Sequence, residues 1–462
     1  MATLVLVLPP AEGISLDAWR VVAMAALMAT WWATEAIPVP ATSLIPLIFL
    51  PLFGITSPDE AARPYADDVI FLLLGGFIIA MVMQRWNLHK RIALNILTRV
   101  GDHPAALIGG FMVATAALSM WISNTATTLM MIPIAISVAN AVSGKKKGHA
   151  FTVALILGIA YASSIGGFGT PIGTPPNAIA IGYLKDAHGI SISFAQWMMF
   201  GIPVVFAMIP VAWLVLTKWA YPIKGILAEK GEAAVNKEIQ KIGPITTPER
   251  RTAILFAAIA LGWMTRPLLN DIPGLGGLND MTIAILGAVL MFVIPAGSKE
   301  ESGASLLNWE WAVKIPWGVL LLFGGGLSLA NAIKVTGLSG WLGEALVGLT
   351  AFPLLFLMLA LVTLVVFLTE LTSNTATTAA LMPVLGALAV VGDYNPLLLA
   401  APAALAASCA FMLPVATAPN AVIFASGQVT IPQMCKAGFR LNLVAIIILT
   451  TLSYALVPIL FT

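Results

Sequence analysis

"SNTATT" at residues 123–128 recurs unchanged at 373–378, each copy inside a strongly apolar run, with Pro133 and Pro383 each ten residues beyond the serine. The arms flanking the first copy, about 104–121 and 126–142, are 17–18 residues long, marginal against the roughly 20 that a crossing needs. Both arms end in basic loops, which charge counting alone reads equally as a re-entrant hairpin or as two crossings. The residues at the midpoint favour the hairpin. Ser, Asn and Thr are preferred helix N-caps, so each copy reads as a tip that opens a second half-helix. Non-helical backbone at membrane depth is tolerated only where it is buried or lines a cavity. Such a tip offers free N–H groups and a positive dipole end to an anion. Its hydroxyl, amide and carbonyl oxygens suit a hard cation such as Na⁺.

Composition frames this reading. Of 462 residues, 59% are hydrophobic and 10% charged, and the mean hydropathy is +0.96, which defines a polytopic membrane protein. A net charge of +2 indicates neither nucleic-acid binding nor an acidic tail. Cys409 and Cys435 are too few for a disulfide framework or a thiolate metal site. No Gly-rich Lys-Ser/Thr phosphate loop is present, which argues against ATP as the energy source. "MATLVLVLPP" at 1–10 lacks a basic leader and is too short to span, so it reads as the tail of a longer helix.

Apolar runs place helices near 16–34, 36–54, 67–84, 150–164, 197–221, 251–266, 281–296, 315–333, 397–413 and 441–461. The double runs 104–142 and 352–391 carry the two tips, and shorter pieces follow at 178–184 and 420–426. Placing loops 85–103, 143–148, 218–251, 298–314 and 436–440 on the cytoplasmic side collects 18 of the 23 Lys and Arg residues there, as the positive-inside rule requires. "RWNLHKRIALNILTRV" at 85–100, with Leu88, Ile92 and Ile96 at helical spacing, is expected along the cytoplasmic interface. The polar stretch 224–250 reads as a solvated connector between two halves.

The halves repeat. "LLLGGF" at 72–77 matches "LLFGGG" at 321–326, and 48 residues separate Gly75 from Ser123 and Gly325 from Ser373. "GTPPNA" at 173–178 matches "ATAPNA" at 416–421. The first tip is entered from the basic face and the second from the charge-poor face, so the repeats are inverted, a hallmark of secondary transporters. The stretches "SSIGGFGTPIGTPPN" (163–177) and "SCAFMLPVATAPN" (408–420) interrupt apolar runs with Gly and Pro, as discontinuous transporter helices do. Neither tip nor break contains Lys or Arg. A buried dianion there has no side-chain counter-charge, so bound cations and helix N-termini are the compensation available.

From about residue 16 to the C-terminus, the two SNT copies, the GTPPN and ATAPN breaks and "WWATEAIPVPATSLIPL" at 31–47 resemble the divalent anion/sodium symporter family. That family includes bacterial dicarboxylate carriers and mammalian sodium–dicarboxylate and sodium–sulfate cotransporters. The resemblance implies an all-α fold of about 10–11 transmembrane helices with two re-entrant hairpins. It also implies a homodimer in the inner membrane, whose protomers divide into a scaffold and an elevator-like transport domain. Residues 1–103 and 251–350 become scaffold and interfacial segments, 104–221 and 351–462 transport elements, and 222–250 the linker. The family's first helix is expected to be largely missing. One sodium site is implied at Ser119, Ser123, Asn124 and Gly173, and another at Thr369, Thr372, Asn374 and Ala416. The substrate is implied between the tips, at Ser123, Asn124, Thr125, Thr174, Ser373, Asn374, Thr375 and Thr417. The implied activity is sodium-coupled import of C4-dicarboxylates such as succinate, malate or fumarate. A sodium-independent exchanger, a sodium–sulfate symporter and an anion channel are the alternatives.

Other residues invite a reading. Glu370, three residues before Ser373, reads as a helix-end carboxylate bonded to nearby backbone, with a proton or cation partner as the alternative. Glu35 reads as structural, Trp31 and Trp32 as packing or interface residues, and Lys145–Lys147 as an orientation signal. An enzyme is not expected, because the four histidines lie at segment ends and no HExxH or GxSxG sequence occurs.

Overall fold

The computed structural model describes residues 9–101, 103–143, 149–223, 229–298, 301 and 303–461. The N-terminal stretch 1–8 and Lys145–Lys147 lie outside them. The first half comprises α1 (Leu16–Thr34), α2 (Ile45–Leu52), α3 (Asp68–Arg85), α4 (Leu88–Leu97), α5 (Pro104–Ser119), α6 (Asn124–Ser143), α7 (Ala150–Gly166), α8 (Pro175–His188) and α9 (Phe194–Leu214). A polar helix, α10 (Glu229–Ile242), links it to the second half. There follow α11 (Thr247–Asn270), α12 (Asp280–Val293), α13 (Trp317–Val335), α14 (Leu338–Leu346), α15 (Leu354–Leu368), α16 (Asn374–Val391), α17 (Leu397–Ala407), α18 (Ala418–Ala425) and α19 (Ile431–Leu460). Eight described helices are long and apolar enough to cross a bilayer alone.

The first arms of both hairpins, α5 and α15, fall short of that length. At ~1.5 Å per residue, α5 reaches only about 24 Å against a hydrocarbon core of about 30 Å. α5 and α6 pack on each other, and α4 and α10 pack against their loop-side ends. The chain therefore enters and returns on one face, as the first tip requires. In the second half, the segment Leu338–Ala351 bends by 114° into α15. The half-helices after the breaks exchange places: α8 packs on α16, the second arm of the other repeat's hairpin, while α18 packs on α6. That exchange brings both tips and both breaks to one point.

The outer ends are tied together. The Lys185 ammonium, on α8, bonds the carboxylates of Asp67 and Asp68 at the start of α3. Asp280 at the start of α12 accepts from the Phe194 N–H of α9 at 2.7 Å and pairs with Arg266 at 3.1 Å. The Phe194 ring stacks on Trp263 with centroids 4.3 Å apart.

Two expectations change in detail. The connector 224–250 contains helix α10, which packs on α6 and α4 and buries Val235. Its apolar positions are sparse, but one face is enough to dock a short helix. On α4 the buried face is Leu88, His89, Ala93, Leu94 and Leu97, whereas Ile92 and Ile96 are only partly covered.

Candidate functional site

Each tip places an asparagine at the start of a half-helix, Asn124 on α6 and Asn374 on α16. Side-chain oxygens from the preceding arm meet them. Ser119 Oγ lies 2.6 Å from Asn124 Oδ1 and 2.7 Å from the Ser163 carbonyl. Thr369 Oγ1 lies 2.7 Å from Asn374 Oδ1 and 2.7 Å from the Ala407 carbonyl. A hydroxyl carries one proton and can serve only one of its two acceptors. Each tip therefore gathers three oxygens around a single hydrogen. Such a donor-poor cluster is chemically matched to a hard cation.

The breaks close the clusters from the other side. Gly173 and Thr174 precede α8, and Ala416 and Thr417 precede α18. Asn177 donates to the carbonyls of Gly167 (2.9 Å) and Thr170 (2.8 Å), and Asn420 does the same to Ala410 and Leu413, both at 3.0 Å. These amide clamps hold the unwound backbone, satisfying carbonyls that helical geometry has abandoned. A Cβ added at Gly167 would stand 3.1 Å from the Gly173 carbonyl oxygen and 3.2 Å from Asn124 Oδ1. The missing side chain thus leaves room for those two oxygens to converge. The two breaks also touch each other, with Thr174 Oγ1 3.3 Å from Ser408 Oγ.

Glu370 is buried and makes its bonds across the fold. Its carboxylate accepts from the N–H groups of Phe411, Met412 and Leu413 and from the Asn442 amide, at 2.8–3.1 Å. It is a structural carboxylate, as read from sequence, but its backbone partners are some forty residues away in the second break.

Both tips and both breaks line one cavity of about 990 Å³. Ser123, Asn124, Thr125, Gly173 and Thr174 face it from the first repeat, and Thr372, Ser373, Asn374, Thr375, Ala416 and Thr417 from the second. Ser119 and Thr369 lie behind the tips, fully buried. The Thr372 hydroxyl is engaged with the Leu368 carbonyl (2.9 Å) and Thr377 (2.7 Å) rather than with the Thr369–Asn374 cluster. The cavity extends to the inner ends of α1 and α3, at Glu35 and Gln84, and to Lys314 before α13. Its lining at Gln84, Trp311 and Lys314 adjoins the basic loops 85–103 and 298–314. Sequence reasoning missed the carbonyls of Ser163 and Ala407. A backbone carbonyl leaves no residue signature, and only the polar Ser163 could have drawn notice. Trp32 is buried with its indole N–H on Ser43 Oγ, and Glu35 caps α1 in a left-handed conformation at φ 50°.

Paired oxygen-rich tips, crossed broken helices and a cavity reaching one face define a multi-pass secondary transporter. The chain belongs to the family described as "Sodium:sulfate symporter transmembrane region", which it matches over residues 1–462. It is similar to the "Sodium-dependent dicarboxylate transporter SdcS" of Staphylococcus saprophyticus, with 42% identity over 95% of this chain and 86% of that one. The protein of the same name from Staphylococcus aureus strain RF122 is 43% identical over the same shares. Among solved structures, the Alcanivorax borkumensis YdaH transporter aligns with a TM-score of 0.64 at 16% identity, covering 96% of this chain and 99% of that one. Neisseria gonorrhoeae MtrF aligns at 0.61 with 14% identity, covering 98% and 96%. These two likenesses concern the fold.

Proposed function

We propose that this protein imports C4-dicarboxylates such as succinate, coupled to Na⁺, by alternating access across the cytoplasmic membrane. The observation that carries the reading is the pair of oxygen clusters, Ser119–Asn124–Ser163 and Thr369–Asn374–Ala407, on either side of one cavity without a basic residue in its tips or breaks. Na⁺ at each cluster supplies the positive charge that a dianion lacks there, together with the half-helix N-termini of α6 and α16. The substrate's two carboxylates then lie between the tips, against Ser123, Asn124 and Thr125 on one side and Ser373, Asn374 and Thr375 on the other, with Thr174 and Thr417 from the breaks. Two sodium-dependent dicarboxylate transporters more than 40% identical over nearly the whole chain support the choice of substrate and ion.

The hairpins, broken helices and α9 and α19 (104–221 and 351–462) move as one transport domain against a scaffold formed by 1–103 and 251–350, in a homodimer. The protein performs no covalent chemistry. A tenfold Na⁺ gradient drives the cycle with roughly 1.4 kcal/mol per ion, and 100 mV adds about 2.3 kcal/mol per net charge moved. The test is uptake of labelled succinate into proteoliposomes with Na⁺ outside. Uptake that needs internal dicarboxylate instead of Na⁺ would make the protein an exchanger, and uptake of sulfate in preference to succinate would make it a sulfate carrier.

A further inference from the structure

The cavity that holds both tips has two charged side chains in its lining, Glu35 and Lys314, and both stand at its cytoplasmic mouth. Lys314 follows the short helix Trp309–Ala312, and its ammonium sits 3.8 Å from the centroid of the Trp311 ring. Among the described residues no carboxylate pairs with it. The Trp311 indole is half-buried and itself lines the cavity, so the cation–π contact holds the ammonium in place without neutralising it. An ion pair would have cancelled the charge; an aromatic face positions it and leaves its field directed into the vestibule.

We propose that Lys314 is the positioning cation of the cytoplasmic vestibule, attracting dicarboxylates that approach or leave the tips from the inside. This rests on the functional reading above. The tips bind the dianion through co-bound cations and helix N-termini, a site whose positive charge depends on ion occupancy. Once Na⁺ leaves, Lys314 is the fixed positive charge that the lining still presents to the substrate. A charged wall in a narrow, low-dielectric cleft raises the local concentration of the opposite ion. Glu35 acts in the opposite sense and limits how strongly the departing anion is retained. The lining places no equivalent pair on the outer side, so the effect is confined to one face.

The experiment uses the full-length protein in right-side-out and inside-out membrane vesicles, measuring half-saturation for labelled succinate at fixed Na⁺. Lys314→Gln should raise the cytoplasmic-face value roughly threefold to tenfold at low ionic strength, and the difference should shrink at high ionic strength as the charge is screened. The external-face value should stay unchanged. Lys314→Arg should keep the wild-type value, and Glu35→Gln should lower it at the cytoplasmic face. Equal shifts at both faces, or none at either, would overturn the proposal. Wild-type vesicles without sodium-dependent succinate transport would instead overturn the functional reading beneath it.

Discussion

The two broken helices reach the same geometry by different chemistry. In the first, Gly166, Gly167 and Gly173 let backbone lie against backbone. Cβ atoms at Gly166 and Gly173 would come within 2.4 Å of the Ala116 carbonyl oxygen and 2.5 Å of the Gly167 carbonyl oxygen. The break is fastened to its hairpin by the Thr170 hydroxyl on the Met120 carbonyl, and to α9 by the Trp197 indole on the Phe168 carbonyl. In the second break, alanines stand at the matching positions 410 and 416, and the stretch 408–417 contains no glycine. There Glu370, at the position matching Met120, gathers three successive backbone N–H groups. An unwound turn can thus be stabilised by close packing of small residues or by an internal anion that satisfies its donors. The oxygen clusters are common to both halves; the means of holding them is not.

The largest expected effect tests what the halves share. Asn124→Ala and Asn374→Ala each remove an oxygen of a proposed cation cluster together with an amide that lines the cavity. Each should lower sodium-driven succinate uptake by at least about 100-fold, the order of 2.7 kcal/mol, at normal expression. Near-normal uptake in either would reduce that tip to a helix cap. The carboxylate comes next. Glu370→Gln turns an amide N–H₂ toward backbone donors and leaves buried groups unpaired, so thermal unfolding should reveal a loss of about 3 kcal/mol. Met120→Gln, at the matching position, is the control and should not reproduce that loss in the same melt.

Glycine at 173 sharpens the comparison further. Gly173→Ala forces a Cβ onto backbone and should raise the Na⁺ concentration needed for half-maximal uptake several-fold, whereas Ala416→Gly should change it by less than about twofold. Equal responses would mean that the two proposed ion sites are built alike after all. The smallest effect separates α4 from α14. His89, where the second repeat has Ser339, is buried and donates Nδ1–H to the Met83 carbonyl at 2.9 Å. Burial holds its imidazole below the ordinary range, against that hydrogen bond. The folded state therefore keeps His89 neutral. Its contribution is present above about pH 6.5 and is lost as pH falls through the lowered folded value. The unfolding midpoint should fall as the pH drops below about 6.5, and His89→Gln should weaken that dependence.

Much of this molecule could be read directly. The hexapeptide repeat, the equal spacing to the glycine pairs and the two Thr-x-Pro-Asn breaks located both tips, because N-caps and helix breakers act through local backbone geometry that short sequence specifies. The distribution of Lys and Arg predicts the sidedness. Less legible was α10, where a charged stretch hid a docking face. The carbonyls of Ser163 and Ala407 were illegible, since any residue supplies one.

The sequence alone therefore determined the class, the order of the repeated elements and the position of the two tips, all properties of local composition and spacing. Tertiary structure alone decided that α8 and α18 cross onto the opposite repeat's hairpin, that Glu370 reaches the backbone of 411–413, and that Lys314 stands on Trp311 at the mouth of the same cavity. Those relations join residues far apart in the chain through packing and hydrogen bonding, and no local periodicity encodes them.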